Sequence, residues 1–172
     1  LRMGIKLAMK QQQVILHEAS TIISHRQVRT GRRFRYVVLK HSSDLSWLAS
    51  HPISLSKLAL FLVEALRNTK KARLPLVLAA YQPQSQLYQV VATNGVRRSG
   101  SADDEEIEDD DDGVADQPYQ FRNHFGSSFR QAAQQIRARV KHDGFESSVI
   151  EVNADDLKQF LHVLQTVPVP RH

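Results

Sequence analysis

The sequence predicts an α+β fold: an antiparallel sheet of about five strands (two hairpins plus one late strand) packed with three helices on one side. Three observations lead there. Two stretches rich in aromatic and β-branched residues are folded by turn signals, at Thr30-Gly31 and at Gln82-Pro83-Gln84-Ser85. Residues 54–69 and 125–140 space their apolar side chains at helical intervals. A short run, Ser148-Val149-Ile150-Glu151-Val152, comes before a final amphipathic segment. The expected order is ββ-α-ββ-(acidic loop)-α-β-α. At 172 residues, 41% hydrophobic and 24% charged, the chain is long enough and apolar enough to bury a core.

Each element has its local reason. Val14, Ile15, Thr21, Ile22, Ile23 and Val28 favour an extended first strand, and Arg32 to Lys40 the second. A two-residue turn at Gly31 sets Arg29 against Arg32 and Arg26 against Arg35. Asp44 to Ser50 reads as a short helical turn that His51-Pro52 stops. Ser54 or Ser56 is the natural cap of a helix whose Leu55, Leu58, Ala59, Leu62, Ala65 and Leu66 share a face, widened by Leu60, Phe61 and Val63. Leu74–Tyr81 and Gln86–Thr93 form the second hairpin, which Asn94-Gly95 ends. Ser127 or Ser128 caps the next helix, with Phe125, Phe129, Ala132, Ala133, Ile136 and Val140 inward and Asp143-Gly144 as its stop. Asn153 caps the last helix, whose Leu157, Phe160, Leu161 and Leu164 face inward behind Asp155 and Asp156.

Net charge hides a division. The formal +5 combines +13 over residues 1–100, where 16 basic side chains meet three acidic ones, with −10 over residues 101–116 and +2 thereafter. Nine of the ten residues from Asp103 to Asp112 are acidic, so residues 99–116 read as a disordered acidic loop inside one α+β domain (11–98 and 117–167). Residues 1–10 are set apart as an N-terminal leader with Met9 as a candidate start, and 168–172 as a tail. If the acidic loop competes with outside polyanions for the basic body, deleting residues 101–116 tightens polyanion binding.

Composition also excludes. Without cysteine there is no disulfide framework, no thiol nucleophile and no thiolate zinc site. His17, His25, His41 and His51 are too far apart in sequence for a helical metal pair, so no metal and no cofactor is expected. No nucleophile elbow and no phosphate-binding glycine loop occurs, and the chain reads as non-enzymatic. No apolar run is long enough to cross a bilayer, which points to an intracellular protein without a membrane partner.

The strongest lead is basic. Arg26, Arg29, Arg32, Arg33 and Arg35 alternate with Phe34 and Tyr36 across the expected hairpin. Guanidinium groups neutralise phosphates and exposed rings stack on unpaired bases, the combination that holds RNA or single-stranded DNA. Lys70, Lys71 and Arg73 form a second group. Arg130, Arg137 and Lys141 form a third, at the spacing of one helical stripe. The first expectation is therefore a non-enzymatic nucleic-acid-binding module for RNA or single-stranded DNA, with the acidic loop as a candidate modulator of its contacts. The alternative is an adaptor or subunit of a larger complex, docking on a protein partner or a second copy through the Leu-rich helix, a sheet edge or the acidic loop.

One segment resembles known modules. Ser148 to Leu161 (SVIEVNADDLKQFL) is similar to the strand-then-helix ending of the Alu-RNA-binding proteins of the signal recognition particle and of Pur-type repeats. The likeness covers about 14 residues of general pattern. It implies an α+β nucleic-acid-binding module and carries no functional residue across.

Overall fold

The structure, a computed structural model, describes residues 2–40, 51–96, 125–136, 141–142 and 148–167. Its elements run α1 (Arg2–Ser24), β1 (Arg29–Thr30), β2 (Arg35–Leu39), α2 (Pro52–Ala65), β3 (Leu76–Gln82), β4 (Leu87–Thr93), α3 (Phe125–Ile136), β5 (Lys141–His142), β6 (Val149–Asn153) and α4 (Leu157–Leu164). Among the described residues the strands form one six-stranded sheet in the order β1-β2-β3-β4-β6-β5. The α+β class stands, and so does the expected succession of ββ, α, ββ, α, β, α, with a helix added in front and a short strand before the last one.

The added helix is the first correction. Residues 14–24 belong to α1, not to a strand, and residues 2–10 are continuous with them. Ile15, Ala19 and Ile22 recur at four and three residues and are buried together, with Glu18 beside them. That tertiary gain along one helical face outweighs the β preference of isoleucine, valine and threonine.

The first hairpin is correspondingly short. Arg29 lies opposite Tyr36 and Thr30 opposite Arg35, in place of the tight two-residue register. Gly31 N donates to the Phe34 carbonyl at 2.9 Å across the intervening turn.

Two further corrections concern the sheet. β2 and β3 are parallel, Arg35 to Leu39 beside Leu76 to Ala80, because α2 crosses between them and returns the chain to the same end. The other neighbours are antiparallel, including the β3–β4 hairpin with Gln82 opposite Leu87. The helices of the described residues also lie two on each face, not three on one. Along β3, Leu76, Leu78 and Ala80 point into a core with α1 and α2, while Val77 and Ala79 point into another with α3 and α4. Both alternating sets are apolar, so both faces must be covered.

Helix boundaries moved for local reasons. Pro52 occupies the first turn of α2 after His51, so the start precedes the serines expected to cap it. Ser54 is buried instead and accepts from Gln11 Nε2 at 2.6 Å, tying α2 to α1. Ser127 and Ser128 lie inside α3 (Phe125–Ile136), and the expected stop at Asp143-Gly144 lies outside the described residues. Asn153 opens a turn closed by Asp156 N at 3.1 Å, and α4 starts after Asp156. Asp44–Ser50, the acidic segment 99–116, Val140 and 168–172 lie outside the described residues. Among the described residues no helix is long and apolar enough to cross a membrane.

Candidate functional site

The β1–β2 turn and the loop entering β3 meet at one end of the sheet. Thr30, Gly31 and Arg32 from the turn, with Lys70, Lys71 and Arg73 from the loop, line a shared depression of ≈ 680 Å³. These four cations are exposed. Arg32 of the first basic group is thus brought to the second group, although about 40 residues separate them along the chain.

Both walls are held from behind. The Gln165 side chain, just past α4, accepts from Arg32 N at 3.0 Å and from Arg33 N at 3.3 Å. A Cβ at Gly31 would fall on that same amide group. On the other wall, Arg35 N donates to the Pro75 carbonyl at 2.7 Å. Its guanidinium donates from Nε to the Leu74 carbonyl and from Nη2 to the Ala72 carbonyl, both at 3.2 Å. The Ala72 carbonyl accepts as well from Val96 N at 3.0 Å. Gly95 allows that approach, since a Cβ there would collide with the Arg73 carbonyl.

Arg35 is therefore a different residue from the phosphate contact its type suggested. It is 3% exposed, and burial pulls its guanidinium below the ordinary arginine value. Its Nη1 is buried without a hydrogen-bond partner among the described residues. Hydrogen bonds from a charged donor contribute about 1.5–3 kcal/mol each, against several kcal/mol for burying the ion. The net effect on stability is small; the effect on the position of the 72–75 backbone is not.

Other expected contacts fall elsewhere. Phe34 is fully buried in the core shared with α3 and α4, so it stacks on no base. Tyr36 is half-buried with its ring edge-on to Phe34, centroids 6.2 Å apart and planes at 68°. Arg33 is half-buried and donates from Nη1 to the Val167 carbonyl at 3.0 Å. Arg26, at φ 51° just past α1, and Arg29 on β1 are exposed. Arg130 is exposed on α3, which covers the opposite face of the sheet from α1 and α2. Lys141 sits on β5 opposite Glu151, not on a helix, so the stripe expected with Arg130 does not form. Arg137 lies outside the described residues.

A second surface went unread in the sequence. On α1, Ile5, Met9, Leu16 and Ile23 are exposed and recur at intervals of four and seven residues, which places them on one side of the helix. That side is distinct from the one buried through Ile15, Ala19 and Ile22. On α2, Ile53, Leu60 and Phe61 are exposed as well, so the Leu-rich helix is less buried than its composition suggested. Heptad spacing was the available signal on α1. For Gln165 and Gly95 no local signal exists, because both act across the fold. Among the described residues no group of three or more His, Asp or Glu side chains is placed to hold a metal ion.

Comparison with known proteins gives a consistent result. The sequence matches the CDC45 family over residues 1–167. It is 34% identical over 169 residues to the cell division control protein 45 homolog of Schizosaccharomyces pombe, covering 95% of this chain and 25% of that protein. It is 30% identical over 164 residues to the Dictyostelium discoideum homolog, covering 95% and 22%. The human homolog is 28% identical over 165 residues, covering 94% and 26%. The chain thus spans about a quarter of the length of the curated relatives it matches. The fold is similar to the crystal structure of CDC45 from Entamoeba histolytica, with a TM-score of 0.59 at 18% identity, covering 92% of this chain and 28% of that one.

Proposed function

This chain belongs to the CDC45 family, and from that membership we propose that it is a docking segment of a DNA-replication subunit, non-catalytic in itself and working in the nucleus. The partners proposed for it are the other proteins of the assembly in which such a subunit works. The alternative read from the sequence, a subunit of a larger assembly, thereby takes precedence over an RNA-binding module.

The observation that carries this reading is the exposed apolar side of α1, with Leu16 and Met9 50% and 59% exposed while Ile15, Ala19 and Ile22, further along the same helix, are buried on another side. Such a stripe costs solubility and is characteristic of a surface that another protein covers. The test is assembly of the full-length protein with its complex partners after replacing Leu16 and Ile23 by serine. Weaker assembly with an unchanged unfolding midpoint supports the reading; wild-type assembly overturns it.

A second reading, direct contact with DNA, is supported by the gathering of Arg32, Lys70, Lys71 and Arg73 around one depression. The family's place in replication favours DNA over RNA.

A further inference from the structure

We infer that the depression between the β1–β2 turn and the 70–74 loop binds the phosphodiester backbone of DNA, and that buried Arg35 is the residue that positions its lysine-bearing wall. This rests on the second reading above and gives it a place and a mode.

Four exposed cations converge there from two parts of the chain, and among the described residues no acidic side chain lines the depression. Like charges gathered in this way repel one another, so the arrangement is not one that folding favours by itself. It is nonetheless fastened on both sides: by Gln165 on the turn, and by Arg35 and the Gly95-Val96 backbone on the loop. Arg35 adds a fifth positive charge behind the cluster and is itself buried. An apolar side chain of similar size would fill the site without desolvating an ion. What arginine supplies that an apolar residue does not is two donors in a fixed fork, holding the Ala72 and Leu74 carbonyls on either side of Arg73.

The ligand follows from what the depression contains and lacks. It offers cations to oxyanions, and among the described residues no aromatic ring lines it, because Phe34 is buried and Tyr36 packs against Phe34. Recognition is then through phosphates and independent of base sequence.

The test is fluorescence anisotropy of the full chain with labelled oligothymidylate and with a labelled duplex, in about 50 and about 200 mM salt. Replacing Lys70, Lys71 and Arg73 by alanine together is expected to lower the log–log salt slope for the single strand by about 2, and affinity near 0.1 M salt by about 100-fold. Arg35→Met is expected to weaken binding about tenfold at an unchanged unfolding midpoint, with Arg35→Lys recovering part of the loss. A merely structural Arg35 would move the midpoint and not the affinity of the folded protein. If Arg35→Met does not fold, Arg35→Lys must lie between wild type and the triple variant, and wild-type affinity in it refutes the positioning role. Wild-type binding by the triple variant overturns the site while leaving DNA contact elsewhere intact. Failure of the unaltered chain to bind either DNA removes the second reading itself. A polyglutamate peptide that binds more tightly than both DNAs makes the depression a protein-docking patch and overturns the inference.

Discussion

Replacing Gly95 by alanine should displace the 70–74 loop, because the new Cβ would occupy the space of the Arg73 carbonyl. Backbone cannot rotate out of the way as a side chain can, so strand end and loop must part. The bond from Val96 N to the Ala72 carbonyl, 3.0 Å long, is the first to open, a loss of about 0.5–1.5 kcal/mol. Overpacking adds about 1–3 kcal/mol. Alanine's lower unfolded-state entropy returns up to about 1 kcal/mol. The net expectation is a destabilisation of about 2 kcal/mol, or a fall in Tm of about 4–8 °C for a chain of this size. Thermal unfolding followed by circular dichroism reads it directly. Gly4→Ala is the control: nothing lies near a Cβ there and the residue is helical, so that variant should be unchanged or stabilised by up to about 1 kcal/mol. An unchanged Tm for Gly95→Ala would mean that the loop does not lie against the end of β4, and the basic depression would lose one wall.

Phe34→Ala should cost about 3–5 kcal/mol, since the ring is fully buried, whereas Arg32→Ala should stay within about 0.5 kcal/mol; urea unfolding of the two variants checks the contrast. Burial, and then the neighbouring Tyr81, raises the Tyr88 phenol above its ordinary value of 10.0. The folded state therefore holds that proton more tightly: its stabilisation is fully present below pH 10 and is lost as pH rises through the raised value. Tyr88→Phe should flatten that alkaline decline, seen in unfolding curves taken from neutral pH to about pH 11. Leu60→Ser should leave stability within about 0.5 kcal/mol because the side chain is 57% exposed, yet weaken assembly with complex partners by up to about tenfold, read by co-purification of the full-length protein.

The parts legible in the sequence were those governed by local pattern. The β3–β4 hairpin came through because Gln82-Pro83-Gln84-Ser85 separates two unbroken β-rich runs, and α4 because Leu157, Phe160, Leu161 and Leu164 can share only one helical face. α1 did not, because isoleucine, valine and threonine locally favour strands and the burial that reverses the preference is contributed by α2 and the sheet. The parallel β2–β3 pair was implicit in a strand, a helix and a strand in succession, but the two turn signals specify only the β1–β2 and β3–β4 pairs and leave the pairing between the hairpins open. Alternation correctly put Phe34 and Arg35 on opposite faces. It could not show that both faces are covered, which turns a stacking ring into core and a phosphate ligand into a buried brace. Arg32, Lys70, Lys71 and Arg73 were all legible as cations, but their convergence depends on contacts spanning the sheet.

In the proposed function, α1 and α2 meet another protein of the assembly. The direct measurement is site-specific photo-cross-linking in the assembled complex, with the probe at position 16 on α1 in one sample and at exposed Lys158 on α4, across the sheet, in another. Cross-links to another subunit from position 16 and none from position 158 are the expected result. Cross-links from position 158 alone, or from neither, would contradict it.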